Sequence, residues 1–159
     1  MSNQSPNLDI FRNRARLYLS QGRYEEAFAI LDDLIAAAPA YGAAYADRGT
    51  ARGLISRYDD ALPDLKKAIE LGAAEPALYN TMGTIQLQMG QPKPAIESYG
   101  KAIQIDPAYP LTYFNRATAF EQLGDKAAAL EDLRTCLRFE SDDGFKNTVT
   151  RRIAQFAEV

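Results

Sequence analysis

The chain has 159 residues, 47% hydrophobic and 25% charged, the balance of a folded globular protein and not of a disordered one. Its net charge is −3 and its sequence pI about 5.0, so it lacks the basic excess with which proteins grip nucleic acid. There is no histidine and a single cysteine, Cys136, which removes Ser-His-Asp and Cys-His catalysis, cysteine-built zinc sites and any intramolecular disulfide. Apolar clusters such as residues 34–38 fall far short of a membrane span. The opening MSNQSPNLDIF has no basic-then-apolar leader pattern, so a cytoplasmic location is the expectation, with no membrane partner.

Residues 1–7 are polar and contain Pro6, and they predict a disordered terminus. From residue 8 the chain repeats itself with a period of 34, giving units 8–41, 42–75, 76–109 and 110–143 without insertion or deletion. The third reads PALYNTMGTIQLQMGQPKPAIESYGKAIQIDPAY. In it Gly83 aligns with Ala15, Gly49 and Ala117, Ala95 with Ala27, Ala61 and Ala129, and Tyr79 with Phe11, Tyr45 and Tyr113. A fixed period of this size marks a stacked-repeat architecture.

Each unit carries two amphipathic helical patterns separated by a break. In the third, Tyr79, Met82, Gly83, Ile85 and Met89 line one face of the first helix, and Ala95, Ile96, Tyr99, Ala102 and Ile103 one face of the second. Gly22, Gly90 and Gly124 stand where a left-handed C-terminal cap is wanted, and Ser56 takes that place in repeat two as a weaker cap. Pro92 and Pro94 fall in the first turn of a second helix, while Pro39 and Pro107 stop second helices. Pro63 is out of place, beyond the first turn of its helix, and predicts a late helix start or a mild kink.

Position seven holds Arg14, Arg48, Met82 and Arg116. Sixteen residues later, on the paired helix, stand Ile30, Asp64, Ser98 and Asp132. Structural ion pairs Arg48–Asp64 and Arg116–Asp132 are therefore expected, with Arg14 left opposite Ile30. Cys136 occupies a small-residue position and is expected to be buried. After Asp143, residues 144–157 form an amphipathic pattern in which Phe145, Val149, Ile153 and Phe156 share a face and Lys146, Arg151, Arg152 and Gln155 take the other side. This segment predicts a capping helix that closes the exposed end of a repeat stack.

The landmarks resemble those of the tetratricopeptide repeat family over residues 8–143: an aromatic residue, small residues at positions eight and twenty, a large apolar at twenty-four, a small one at twenty-seven and proline near thirty-two. Leu34 at position twenty-seven, and Ala73 and Ser141 in place of proline, depart from the pattern. The resemblance implies an all-α, right-handed superhelical solenoid of antiparallel helix pairs. It also implies a concave surface, lined by the first helices, that receives a peptide or helix of a partner protein. Positions two, five, nine and twelve supply that surface, and the candidate groove residues are Arg12, Arg16, Thr50, Asn80, Thr84, Phe114, Thr118 and Glu121, with Gln88 bordering it. Small polar residues let a peptide backbone approach, Asn80 and Gln88 can bond its amides, and Phe114 offers an apolar seat.

The family's chaperone-binding carboxylate clamp is absent. Started at repeat one, its lysine, asparagine and arginine places hold Arg12, Arg16, Asp47, Ala77 and Thr81; started at repeat two they hold Ala46, Thr50, Thr81, Leu111 and Asn115; started at repeat three only Asn115 agrees. The pairs Asp32-Asp33, Asp59-Asp60 and Asp142-Asp143 do not suggest carboxylate catalysis, because helix neighbours diverge by about 100°. The expected function is a non-catalytic adaptor with no cofactor or metal. The competing expectation is a structural module that self-associates through its stacking faces or its junction tyrosines, Tyr41 and Tyr109.

Overall fold

Leu8, Gly42, Pro76 and Pro110 each open a helix, 34 residues apart, so the sequence period is a period of structure. The structure is a computed structural model and describes residues 8–156. The expected disordered terminus 1–7 and residue 157 of the expected cap lie outside the described residues. The four first helices are α1 (Leu8–Ser20), α3 (Gly42–Leu54), α5 (Pro76–Gln88) and α7 (Pro110–Gln122). Their partners are α2 (Tyr24–Ala37), α4 (Tyr58–Glu70), α6 (Pro92–Ile105) and α8 (Lys126–Phe139), and α9 (Asp143–Gln155) follows. The described residues are all-α, with no strand among them.

Each first helix turns into its partner through three residues, which forces the pair to lie side by side and antiparallel. The residue that reverses the chain is left-handed in every repeat: Gly22, Ser56, Gly90 and Gly124 have φ of 73°, 62°, 70° and 77°. Pro92 opens α6, and Pro39 and Pro107 stand two residues beyond the ends of α2 and α6. Pro63 does not delay its helix. It is the sixth residue of α4 and exposed, and its missing N–H leaves the Asp59 carbonyl, which its ring also crowds, without that helical hydrogen bond.

The chain divides after Ala74 into two compact units. In the first, α1 packs on α2, α3 on α4, and α2 on α3, around Ala15, Leu31, Leu34 and Ala44 with Tyr41 and Ile35 at the margin. Leu34, large for its position, is therefore absorbed at the contact between repeats. In the second, Ala95, Tyr99 and Ala119 join α6 to α7. A further cluster of Tyr113, Ala117, Leu133, Cys136 and Val149 joins α7, α8 and α9. The small residues at positions eight and twenty do what close helix packing demands: Ala15, Ala27, Ala61, Ala95, Ala117 and Ala129 are all fully buried.

Candidate functional site

Position seven ties each helix pair together. Arg48 grips Asp64 in bidentate fashion, Nε to Oδ2 at 2.8 Å and Nη2 to Oδ1 at 2.7 Å. Arg116 grips Asp132 in the same way, at 2.8 and 2.7 Å. Both carboxylates are buried and both guanidiniums are pushed up in pKa, chiefly by their hydrogen bonds to these carboxylates, so each guanidinium stays charged. Arg48 also reaches Asp32 of the preceding repeat, and Arg52 adds a 2.7 Å bond to Asp64. Repeat three replaces the ion pair with a 2.7 Å hydrogen bond between Ser98 and the Gln86 side chain. Arg14, opposite Ile30, donates to the Tyr18 hydroxyl instead, at 3.2 Å. The pairs Arg48–Asp64 and Arg116–Asp132 and the Ser98–Gln86 bond hold helix to helix within their repeats, whereas Arg14 stays exposed.

The nine candidate groove residues fall into two sets. Position five supplies three of them, Arg12, Asn80 and Phe114. Arg12 donates from Nε to Asp47 Oδ2 at 2.6 Å and from Nη2 to Oδ1 at 3.2 Å, joining α1 to α3. Asn80 has both amide atoms enclosed and without a hydrogen-bond partner. Phe114 meets Phe145 of α9, ring centroids 5.1 Å apart and tilted by 60°.

Arg152 then gathers the rest of repeat four. Its guanidinium stacks 4.6 Å from the centre of the Phe114 ring. Its Nε donates to Glu121 Oε1 at 2.9 Å and its Nη2 to Thr118 Oγ1 at 2.9 Å, while Thr118 donates to the Phe114 carbonyl. Arg152 therefore does not lie on the polar outer side of α9, where the sequence pattern put it. It follows Phe145 by seven residues, two helical turns along the same face, and that spacing was the available signal for the inward contact.

The second set remains open. Arg16, Thr84 and Gln88 are exposed and Thr50 is half-buried. Thr84 is held in place by a 3.1 Å hydrogen bond with the Tyr99 hydroxyl, which leaves its outer side available. In the first unit Arg16 and Thr50 are the position-nine residues of α1 and α3. In the second, Thr84 and Gln88 lie one turn apart on α5. Among the described residues no group of three acidic, cysteine or histidine side chains could hold a metal ion. No helix of the described residues is long and apolar enough to cross a membrane.

Family models described as tetratricopeptide repeat match residues 4–42, 12–77 and 111–143, and one described as TPR repeat matches residues 87–124. Among solved structures, a crystal structure of MamA protein is similar with a TM-score of 0.78 at 25% sequence identity, covering 84% of this chain and 73% of that one. A second MamA crystal structure gives 0.79 at 25% identity, over 84% and 78%. MamA residues 41 to the end from Desulfovibrio magneticus RS-1 give 0.78 at 20% identity, over 84% and 75%. Comparison with curated proteins by sequence finds no match.

Proposed function

The chain belongs to the tetratricopeptide repeat family of protein-interaction scaffolds, and we propose that it holds an extended segment of a partner protein against the outward faces of its first helices, without catalysis. The observation that carries this reading is the division within the candidate surface. Arg12, Phe114, Thr118 and Glu121 are taken up by neighbouring helices, whereas Arg16 and Thr50 in the first unit and Thr84 and Gln88 in the second keep their outer sides free for another chain.

Their chemistry suits a main chain. Threonines at position nine are short enough for a backbone to come within hydrogen-bond reach, and each hydroxyl both donates and accepts. The Gln88 amide can pair with a peptide unit edge to edge. Arg16 adds a preference for an acidic side chain on the partner. Phe114 acts in this reading as a support and not as a contact.

The test is affinity capture from the source lysate with wild type beside the double variant Arg16→Glu, Gln88→Ala. Both residues are exposed and neither is tied to the core, so the variant should fold. A partner captured by wild type and lost by the variant supports the reading. A partner kept equally by both removes it.

A further inference from the structure

Repeat one leaves bare the side that later repeats bury. Positions three, four, seven and ten of a first helix form one stripe, and in α3 and α7 that stripe meets the second helix before it. Ala44 sits among Leu31 and Leu34 of α2, and Ala119 among Ala95 and Tyr99 of α6. Ala44 and Ala119 are accordingly fully buried. The stripe of α1 is Ile10, Phe11, Arg14 and Leu17, and there Ile10 is 64%, Phe11 46% and Leu17 54% exposed. Beside it, between α1 and α2, lies an apolar hollow of about 350 Å³ whose lining includes Leu8, Phe11, Ile30 and Leu34, with Arg14 and Asp33 the charged residues among them.

The charges say what the bare side wants. In repeat two the position-seven arginine, Arg48, is neutralised by Asp64 of its own repeat and by Asp32 of the repeat before. Arg14 has Ile30 in place of the first and, as part of the first described helix, no counterpart of the second. Among the described residues the ion pairs include neither Arg14 nor Asp33. An occupant with apolar side chains would cover this face, and Arg14 and Asp33, both exposed and outside those ion pairs, can each meet an opposite charge on it.

We propose that the occupant is a second copy of the same face, and that two chains join about a two-fold axis with Ile10, Phe11 and Leu17 between them and Arg14 of each copy set against Asp33 of the other. In such an interface every residue meets its reciprocal, so a face with charge of one sign would repel itself. This face carries one cation and one anion in an apolar surround and satisfies both by self-contact. The contact closes at two copies. The outer side of α9 is Asn147, Thr148, Arg151 and Gln155, all exposed, and offers no apolar partner for head-to-tail growth.

Sedimentation velocity on the full chain, from micromolar to millimolar concentration, tests the proposal. Wild type is expected to dimerise. Leu17→Glu, on a residue already exposed, is expected to sediment as a monomer with an unchanged thermal melt. Arg14→Asp and Asp33→Arg should each weaken the dimer by roughly tenfold or more, and the double charge swap should restore it. A wild type that is monomeric throughout, a dimer indifferent to Leu17→Glu, or a swap that fails to restore association overturns the proposal. So does a dimer that forms only after residues 1–7 are removed, since that segment would then be the occupant. Partner capture by Leu17→Glu keeps the groove reading separate, because Leu17 lies outside the residues assigned to it.

Discussion

The ring of Tyr99 lies so close to Gly83 that a β-carbon at residue 83 would stand 2.7 Å from its Cε1 and 2.8 Å from Cδ1. Tyr99 is fully buried and tied by its hydroxyl to Thr84, so it has no free direction in which to yield. Gly83→Ala should therefore lose about 1–3 kcal/mol to overpacking, more than the ~1 kcal/mol that alanine gains in helix propensity. Gly100 in α6 is the internal control, since nothing lies within 4 Å of the place its β-carbon would take. Gly100→Ala should stabilise by about 0.5–1 kcal/mol. Urea unfolding of the two variants should move in opposite directions, and a shift of the same sign in both would remove the steric account.

Much of this was legible in the residues. Gly83 and Tyr99 stand at positions eight and twenty-four, and a large side chain facing a glycine requires no knowledge of the coordinates. The Arg48–Asp64 and Arg116–Asp132 pairs were readable because charge correlates with charge at a fixed spacing. The candidate surface was less readable. The period shows which residues are equivalent, not how far each first helix is rotated toward the next, so Phe114 read as an open seat when Phe145 and Arg152 cover it. The fault lies in treating α9 as a polar cap: Phe145, Val149 and Arg152 share one face, and an arginine can sit on that face once Glu121 and Thr118 receive it.

Asp132 is 4% exposed and Arg116 neutralises it. Arg116→Met leaves a buried carboxylate without a counterion and should cost about 3–5 kcal/mol. Arg116→Met/Asp132→Leu removes both charges and should cost less than the single change. Asp132→Ser cannot borrow the solution used in repeat three, because the position of Gln86 is taken in repeat four by Phe120. A double-mutant cycle by chemical denaturation checks the sign of the coupling, and an additive result would mean that the pair contributes nothing.

Ser56 holds φ of 62° where the equivalent residues are glycines. A side chain there meets the steric penalty of the left-handed region, on the order of 1 kcal/mol. Ser56→Gly should raise the midpoint of thermal unfolding by a few degrees. Gly90→Ser, the reciprocal change, should lower it by a similar amount. Calorimetry on the two variants decides this, and a fall in both would show that the Ser56 side chain contributes more than its backbone strain costs.

Cys136 is fully buried in the cluster that includes Val149 of α9, and burial pushes its thiol up to about 11, with Glu140 and Asp132 pressing the same way. Because the thiolate is the nucleophile, native protein at pH 8 should resist a disulfide reagent almost completely. Arg152→Ala, which removes the bonds from α9 to Glu121 and Thr118 and the guanidinium stacked on Phe114 while leaving Phe145 and Val149 in place, should speed labelling severalfold. Truncation after Ser141 should speed it much further, with circular dichroism showing that the remaining helices persist. The same burial has a pH signature. A group whose pKa is higher folded than unfolded favours the fold while it is protonated, so this contribution is whole below about pH 9 and is lost as pH rises toward 11. Wild type should lose stability relative to Cys136→Ala across that window and not below it. A difference between the two proteins that stays constant from pH 8 to pH 11 would mean that the thiol ionises as readily in the fold as outside it, and that α9 does not seal this part of the core.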